Sequence, residues 1–282
     1  MRIACVQSNV QFADPAANAA NAISKLESLS EQGVELAIFP EAYLTGYCVA
    51  NEAEAESIAI EQTDASVTAI QSAVDRLEIG AVVGFAEQGI EGELFNAAAI
   101  FEPGQRTRFY RKTHLPFLGY DRFANPGDQL EIFETRWGKI GLLICFDLRP
   151  PEAARTLALK GADLIVLPTN WPVGAEVSAD HVSIARAAEN KVFFATCDRV
   201  GDENGTHFIG RSKIIHTSGR VLASAGEAEE IIIADIDFSE ARNKRIVNIP
   251  GEYEMEVFGS RQPSLYGPIT EQPLGLSKPF AQ

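Results

Sequence analysis

The feature that most constrains this chain is a series of short, unbroken apolar runs set between segments of helical periodicity. Residues 35–39 (ELAIF), 141–146 (GLLICF) and 163–167 (DLIVL) carry apolar side chains on both faces of an extended chain. Such strands must be covered on both sides, which places them in the middle of sheets layered with other elements. Between them, residues 17–30 and 65–77 repeat apolar side chains every three or four positions, as helices with one buried face do. Alternating helices and doubly buried strands indicate an α/β architecture.

Further strands are expected at 2–7, 81–85, 96–101, 107–111, 192–197, 212–216, 220–224 and 230–236, and helices at 151–159 and 179–190. Asp14 or Asn18 is placed to cap the first helix, and Pro151 suits the first turn of another. The last ~40 residues are less regular and hold Pro250, Pro263, Pro268, Pro273 and Pro279. With no repeat or linker in view, residues 1–282 are expected to form one domain, with about 240–282 as a C-terminal arm lying on the surface or packed on a partner subunit.

A net charge of −15 argues against binding nucleic acid backbones or anionic membranes. Cys5, Cys48, Cys145 and Cys197 are far apart, and neither they nor the four histidines show zinc-ligand spacing. Reduced thiols and a cytoplasmic setting are expected. The opening MRIACVQSNV reads as a strand, not a signal peptide.

Three segments place a reactive residue where a strand ends: Glu41 after ELAIF, Lys112 after the 107–111 strand, and Cys145 at the end of GLLICF. Loops at strand ends can converge on one crevice. A carboxylate can take a thiol's proton during attack on a carbonyl, and a fixed ammonium can hold the charge that develops on oxygen. Cys145 precedes a helix start near Pro150 or Pro151, a position that favours thiolate. Taken singly, each residue has a plainer reading: a core cysteine, a solvated glutamate, a surface lysine.

Together the segments resemble the nitrilase (carbon-nitrogen hydrolase) superfamily, in its amidase and carbamoylase branch. Phe39-Pro40-Glu41 is similar to its glutamate segment, Arg111-Lys112-Thr113-His114-Leu115 to its lysine segment, and Cys145, Asp147, Arg149, Pro151 and Glu152 to its nucleophile segment. RIACVQ, RAAENKVFF and GRSKIIHTSGRV also fit, so the resemblance covers about residues 1–240. It implies a four-layer αββα sandwich, a homodimer or larger homo-oligomer, a thioester intermediate, and neither metal nor organic cofactor. Glu41 would be the general base, Lys112 the oxyanion stabiliser and Cys145 the nucleophile.

One departure stands out. Many members carry a second glutamate shortly after the lysine, where this chain has Gly119-Tyr120-Asp121. Asp121 or Tyr120 could take that role; otherwise Asp121 would pair with Arg122 or Arg149. Nitrile-cleaving members usually follow the nucleophile with Trp-Glu, and Phe146-Asp147 stands here, which favours amides. A backbone amide near Asn170 or Trp171 could complete an oxyanion hole, and Trp171, Tyr47, Phe117 and Phe146 are pocket candidates. His114 is read as structural. Asp147 and Arg149 could form an ion pair, or Arg149 could meet a substrate carboxylate. The expected reaction is hydrolysis of a small linear amide or N-carbamoyl compound by water. Its rivals are nitrile hydrolysis, acyl transfer through the same thioester, and a non-catalytic binding protein.

Overall fold

The computed structural model describes residues 1–271. In chain order the first part of the chain forms β1 (Arg2–Gln7), α1 (Pro15–Glu31), β2 (Leu36–Ile38), α2 (Glu52–Ile58), α3 (Ala65–Leu77), β3 (Gly80–Gln88), β4 (Leu94–Phe101) and β5 (Arg108–Arg111). The next part forms β6 (Ile132–Glu134), β7 (Lys139–Leu142), α4 (Pro151–Leu159), β8 (Leu164–Thr169), α5 (Ser183–Asn190) and β9 (Phe193–Asp198). There follow β10 (Val200–Glu203), β11 (Thr206–Ile209), β12 (Lys213–Ile215), β13 (Val221–Ser224), β14 (Glu230–Asp235) and α6 (Phe238–Arg242).

Two six-stranded sheets run in the orders β14-β1-β2-β3-β4-β5 and β13-β12-β9-β8-β7-β6. Each is built on three adjacent parallel strands, β1-β2-β3 in one and β7-β8-β9 in the other, extended by antiparallel neighbours. The sheets pack face to face, β1 against β9 and β3 against β8. The Cys197 thiol donates across this interface to the Ile38 carbonyl at 3.0 Å.

The outer face of the first sheet is covered by α1 and α3. Ala19, Ala22, Leu26 and Leu29 of α1 and Val67, Ile70 and Val74 of α3 join Ala4, Val6, Ala37, Val83 and Phe85 of the sheet in one core. On the second sheet Leu157 of α4 lies over Gly141 of β7, and α5 packs on β9 and α4. The result is the four-layer αββα sandwich. Asp14 caps α1 by accepting from the Ala17 N–H, whereas Asn18 donates to the Gln11 and Leu44 carbonyls. No helix among the described residues is long and apolar enough to cross a membrane.

Several local expectations change. The 141–146 run does not stay extended to its end: β7 stops at Leu142 and Cys145–Leu148 forms a 3-10 turn. The reason is a side chain, since Asp147 Oδ2 accepts the Ile144 N–H at 3.0 Å and pulls the backbone out of the ladder. The helix expected over 179–190 opens with a π-helical turn, Ser178–Val182, before α5. A second compact unit begins at Asn243 and contains the antiparallel pair β15 (Arg245–Ile249) and β16 (Tyr253–Glu256). Pro263 and Pro268 open short 3-10 turns, while Pro273 and Pro279 lie outside the described residues.

Sheet and site meet at Gly84 of β3. A Cβ there would lie 2.5 Å from the Ala42 nitrogen, 2.7 Å from the Pro40 carbonyl oxygen and 2.8 Å from Glu41 Cα, all main-chain atoms that cannot swing aside. Gly84→Ala is therefore expected to destabilise the fold by about 1–3 kcal/mol, read as a lower urea midpoint at unchanged slope.

Candidate active site

Glu41 leaves the carboxyl end of β2, Lys112 follows β5, Cys145 follows β7, Asn170 follows β8, and Asp198 ends β9. Because β4 is antiparallel to both β3 and β5, the end of β5 points the same way as the ends of the parallel strands in its sheet. The loops that leave these ends converge, which is where α/β folds gather chemistry.

At the centre is a buried charge cluster. Lys112 Nζ donates to Glu41 Oε1 at 2.7 Å and to Asp121 Oδ2 at 2.6 Å. Lys112 and Glu41 are 0% exposed and Asp121 is 3% exposed. Asn96 Nδ2 donates to Glu41 Oε1 and Asp121 Oδ1, each at 2.7 Å, and the Tyr47 hydroxyl donates to Asp121 Oδ2 at 2.8 Å. Two of the three ammonium hydrogens of Lys112 are committed to carboxylates, which leaves one for a ligand. Glu41 Oε2 is buried without a hydrogen-bond partner.

The charges shift one another. Burial pushes the Glu41 carboxyl up; Lys112 pulls it back and Asp121 adds to the rise. Burial opposes the Lys112 charge, but Asp121 and Glu41 outweigh it and hold the ammonium protonated far above neutrality. Cys145 is 8% exposed, and burial followed by the Glu41 charge pushes its thiol well up. Lys112, the Thr169 hydroxyl and the Asn170 backbone N–H oppose that rise without overcoming it. The expectation of a helix-stabilised thiolate is thus reversed: α4 starts six residues later, and the thiol rests protonated. Cys145 has a left-handed backbone, φ 44°, uncommon for a residue with a side chain and a mark of local strain.

Asp147 holds that turn in place. Its Oδ1 accepts from the Thr113 hydroxyl at 2.9 Å, the His114 N–H at 2.9 Å and His114 Nδ1 at 2.7 Å. Its Oδ2 accepts from the Tyr110 hydroxyl at 2.8 Å and the Ile144 N–H at 3.0 Å. The carboxylate therefore ties the Lys112 strand and loop to the cysteine turn. The ion pair expected between Asp147 and Arg149 is not formed, and Arg149 Nη1 instead lies 3.4 Å from Ser178 Oγ. His114 braces Asp147, a side chain, rather than a backbone group.

The other expected residues fall as follows. Asp121 pairs with Lys112, not with Arg122 or Arg149. The Tyr120 hydroxyl donates to the Glu87 carbonyl at 3.3 Å, and its ring packs with Tyr47 and Phe208 rather than joining the charges. The Trp171 N–H is consumed by Asp198 Oδ1 at 2.8 Å, so of the two amides considered for an oxyanion hole it is Asn170 whose N–H faces Cys145. Trp171 is buried, Phe146 is 38% exposed beside the cysteine, and Phe117 is 53% exposed. Phe117 borders a cavity of about 490 Å³ with Cys48, Leu118, Arg122 and Asn204. Tyr47, considered as a pocket wall, instead turns its hydroxyl into the cluster.

Asn96, Thr169, Asp198 and Glu203 were not singled out from the sequence. Glu203, on the β10–β11 hairpin, accepts the N–H groups of Tyr47 and Cys48 at 2.8 and 2.7 Å and so fixes the Tyr47 loop. Among the described residues no three His, Cys, Asp or Glu side chains are grouped to hold a metal ion.

Comparison with known proteins identifies the family and agrees with the fold. The carbon-nitrogen hydrolase family profile matches residues 2–246. A Pyrococcus abyssi protein named nitrilase is 37% identical over 94% of this chain and 99% of its own length. The 2-oxoglutaramate amidase of Bacillus subtilis is 30% identical over 86% of this chain and 93% of its own length. Among solved structures, an alanine mutant of the nitrilase-superfamily amidase from Nesterenkonia AN1 superposes with a TM-score of 0.77 at 26% identity, covering 86% of this chain and 92% of that one.

Asp147→Ala is expected to leave five hydrogen-bonding groups without their partner and to loosen both the lysine loop and the cysteine turn. The variant should lose about 3–5 kcal/mol of stability, seen in chemical denaturation. Any folded fraction should alkylate at Cys145 with altered kinetics.

Proposed function

This chain belongs to the carbon-nitrogen hydrolase family and is a hydrolase of non-peptide carbon–nitrogen bonds, and from that premise we propose that it cleaves a small linear amide or N-carbamoyl compound through a thioester on Cys145. The observation that carries this reading is the cluster itself: a buried lysine with one uncommitted hydrogen, beside a glutamate with one unpartnered oxygen, both felt electrically by a buried thiol.

As the Cys145 sulfur attacks the substrate carbonyl carbon, its proton passes to Glu41 Oε2. The carbonyl π electrons move onto oxygen, where the remaining Lys112 hydrogen and a backbone N–H stabilise the charge. Glu41 then gives the proton to the leaving nitrogen as the C–N bond breaks, and ammonia or an amine departs. Water, deprotonated by the same carboxylate, adds to the thioester and releases the acid, and the sulfur recovers its proton. A protonated resting thiol suits this order, because proton removal and attack occur together on a bound substrate. Asp121 takes the place of the second glutamate in holding Lys112.

Phe146, next to Cys145 in sequence and 38% exposed, supports an acyl pocket at the cysteine, with Asn170 and Trp171 as further candidates for its wall. The four unpaired cysteines support a reducing, cytoplasmic setting. The second compact unit begins close to where the C-terminal arm is expected, and a homodimer or larger homo-oligomer is proposed on family membership alone. Nitrile hydrolysis is the second reading, favoured by the name of the Pyrococcus abyssi relative and opposed by Phe146-Asp147.

The test is ammonia release from aliphatic, aromatic and ω-amides, N-carbamoyl amino acids and nitriles. Turnover confined to nitriles would reverse the preference, and no turnover of any class by folded protein would reject the hydrolytic reading. Cys145→Ala should abolish turnover without shifting the unfolding midpoint. Lys112→Ala should lower kcat by about 10²–10³-fold, and a change confined to KM would deny it the oxyanion role. The base must be ionised to act, and burial raises its pKa, so the acid limb of kcat/KM should lie above the ordinary glutamate value of 4.5.

A further inference from the structure

The cluster holds two carboxylates, and either could in principle take a proton from the nucleophile. Their hydrogen bonds differ. Asp121 Oδ2 accepts from Lys112 and Tyr47, and Asp121 Oδ1 accepts from Asn96. Glu41 Oε1 accepts from Lys112 and Asn96, while Glu41 Oε2 accepts from nothing. Like Lys112, Asn96 touches both acids, giving one hydrogen of its Nδ2 to each.

Its place in the fold makes this bridge rigid. Asn96 lies within the otherwise apolar β4, 1% exposed, paired with Ala86 of β3. Its carbonyl accepts the Lys112 N–H at 2.8 Å, so main chain and side chain together place the lysine and both of its counter-charges. Because two acceptors face the side-chain nitrogen, the orientation of the amide is fixed by its partners.

Resting on the hydrolytic reading above, we infer that Asn96 is a positioning residue that selects the base: with Tyr47 it occupies Asp121 and one oxygen of Glu41, so that Glu41 Oε2 alone is left to receive the thiol proton. Asp121 then serves as a fixed counter-charge for Lys112 and takes no proton during the cycle. A lone polar residue in the LFNAAAIF strand is the sequence signal for this role.

The test compares Asn96→Ala, Asp121→Asn and Glu41→Gln with the wild type by the pH dependence of kcat/KM and, independently of turnover, by the pH dependence of Cys145 alkylation with iodoacetamide, the labelled peptide being identified by mass. Asn96 donates to the ionised form of Glu41, so its loss should move the acid limb upward by about 1–2 pH units and lower kcat at neutral pH with little change in KM. Asp121→Asn removes a neighbouring negative charge and should move the limb downward, whereas Glu41→Gln should remove it. If Asp121→Asn removes the limb, Asp121 is the base and the inference is wrong. A lower kcat in Asn96→Ala with an unmoved limb means a purely structural role and also overturns it. Should Asn96→Ala not fold, Asn96→Ser removes the same donor with a smaller change in polarity. Failure of every amide in the wild type, with the alkylation limb still shifted in the Asn96 variant, would reject the hydrolytic reading and leave the base assignment standing. Amide turnover with an unshifted alkylation limb would do the reverse.

Discussion

The site depends on one ammonium group kept wholly out of water. Transferring Lys112 into the interior is unfavourable by several kcal/mol, and it is tolerated only because two carboxylates and their donors come with it. Two negative charges against one positive charge leave the cluster unbalanced. Burial raises the Glu41 carboxyl and the extra negative charge of Asp121 adds to that rise, while the lysine stays charged. If Glu41 is the base, as proposed, an upward shift moves it toward the range in which a general base is effective, and the excess of one carboxylate contributes to that shift. The sheets, Gly84 and the Asp147 tie all hold the loops that deliver these charges.

Much of this was legible in the amino-acid order. The doubly apolar runs named the central strands, and helical spacing placed α3 and α4 at the bounds the structure shows. Glu41, Lys112 and Cys145 were visible because each lies in a distinctive short segment at a strand end. What escaped was carried by long-range side-chain contacts. Asp147 has Arg149 two positions away as an obvious partner, yet it bonds groups 33 to 37 residues distant, and pattern reading favours near neighbours. A local contact of the same carboxylate, to the Ile144 N–H three residues back, accompanies the early end of β7, against the propensity of GLLICF. The β10–β11 hairpin was missed although Asn204-Gly205 is a good turn, because VGDE and THFI are too short and polar to read as strands. The short acidic helix α2, EAEAESI, lacks a clear apolar face.

Asp121, proposed in place of the family's second glutamate, shows how such a departure could be absorbed. The residue is one carbon shorter than glutamate, but it sits in a 3-10 turn, Gly119–Arg122, whose backbone is held by Tyr47 and Arg122. The turn carries the carboxylate to Lys112, so backbone placement supplies the reach that the side chain lacks. Substitution at this position is thus coupled to the loop that holds it, and the two would be expected to change together among related chains.

The left-handed turn at Cys145 has a consequence for how the protein comes to be active. The turn is pinned by Asp147 to Thr113 and His114, and Glu41, the base proposed for Cys145, lies more than a hundred residues earlier in the chain. On that proposal, no fragment that ends before Cys145 contains the whole site. The proposed catalytic groups follow strands of two different sheets, so bringing them together requires both sheets to be in place. Activity of the proposed kind would in this way report that the two sheets have assembled.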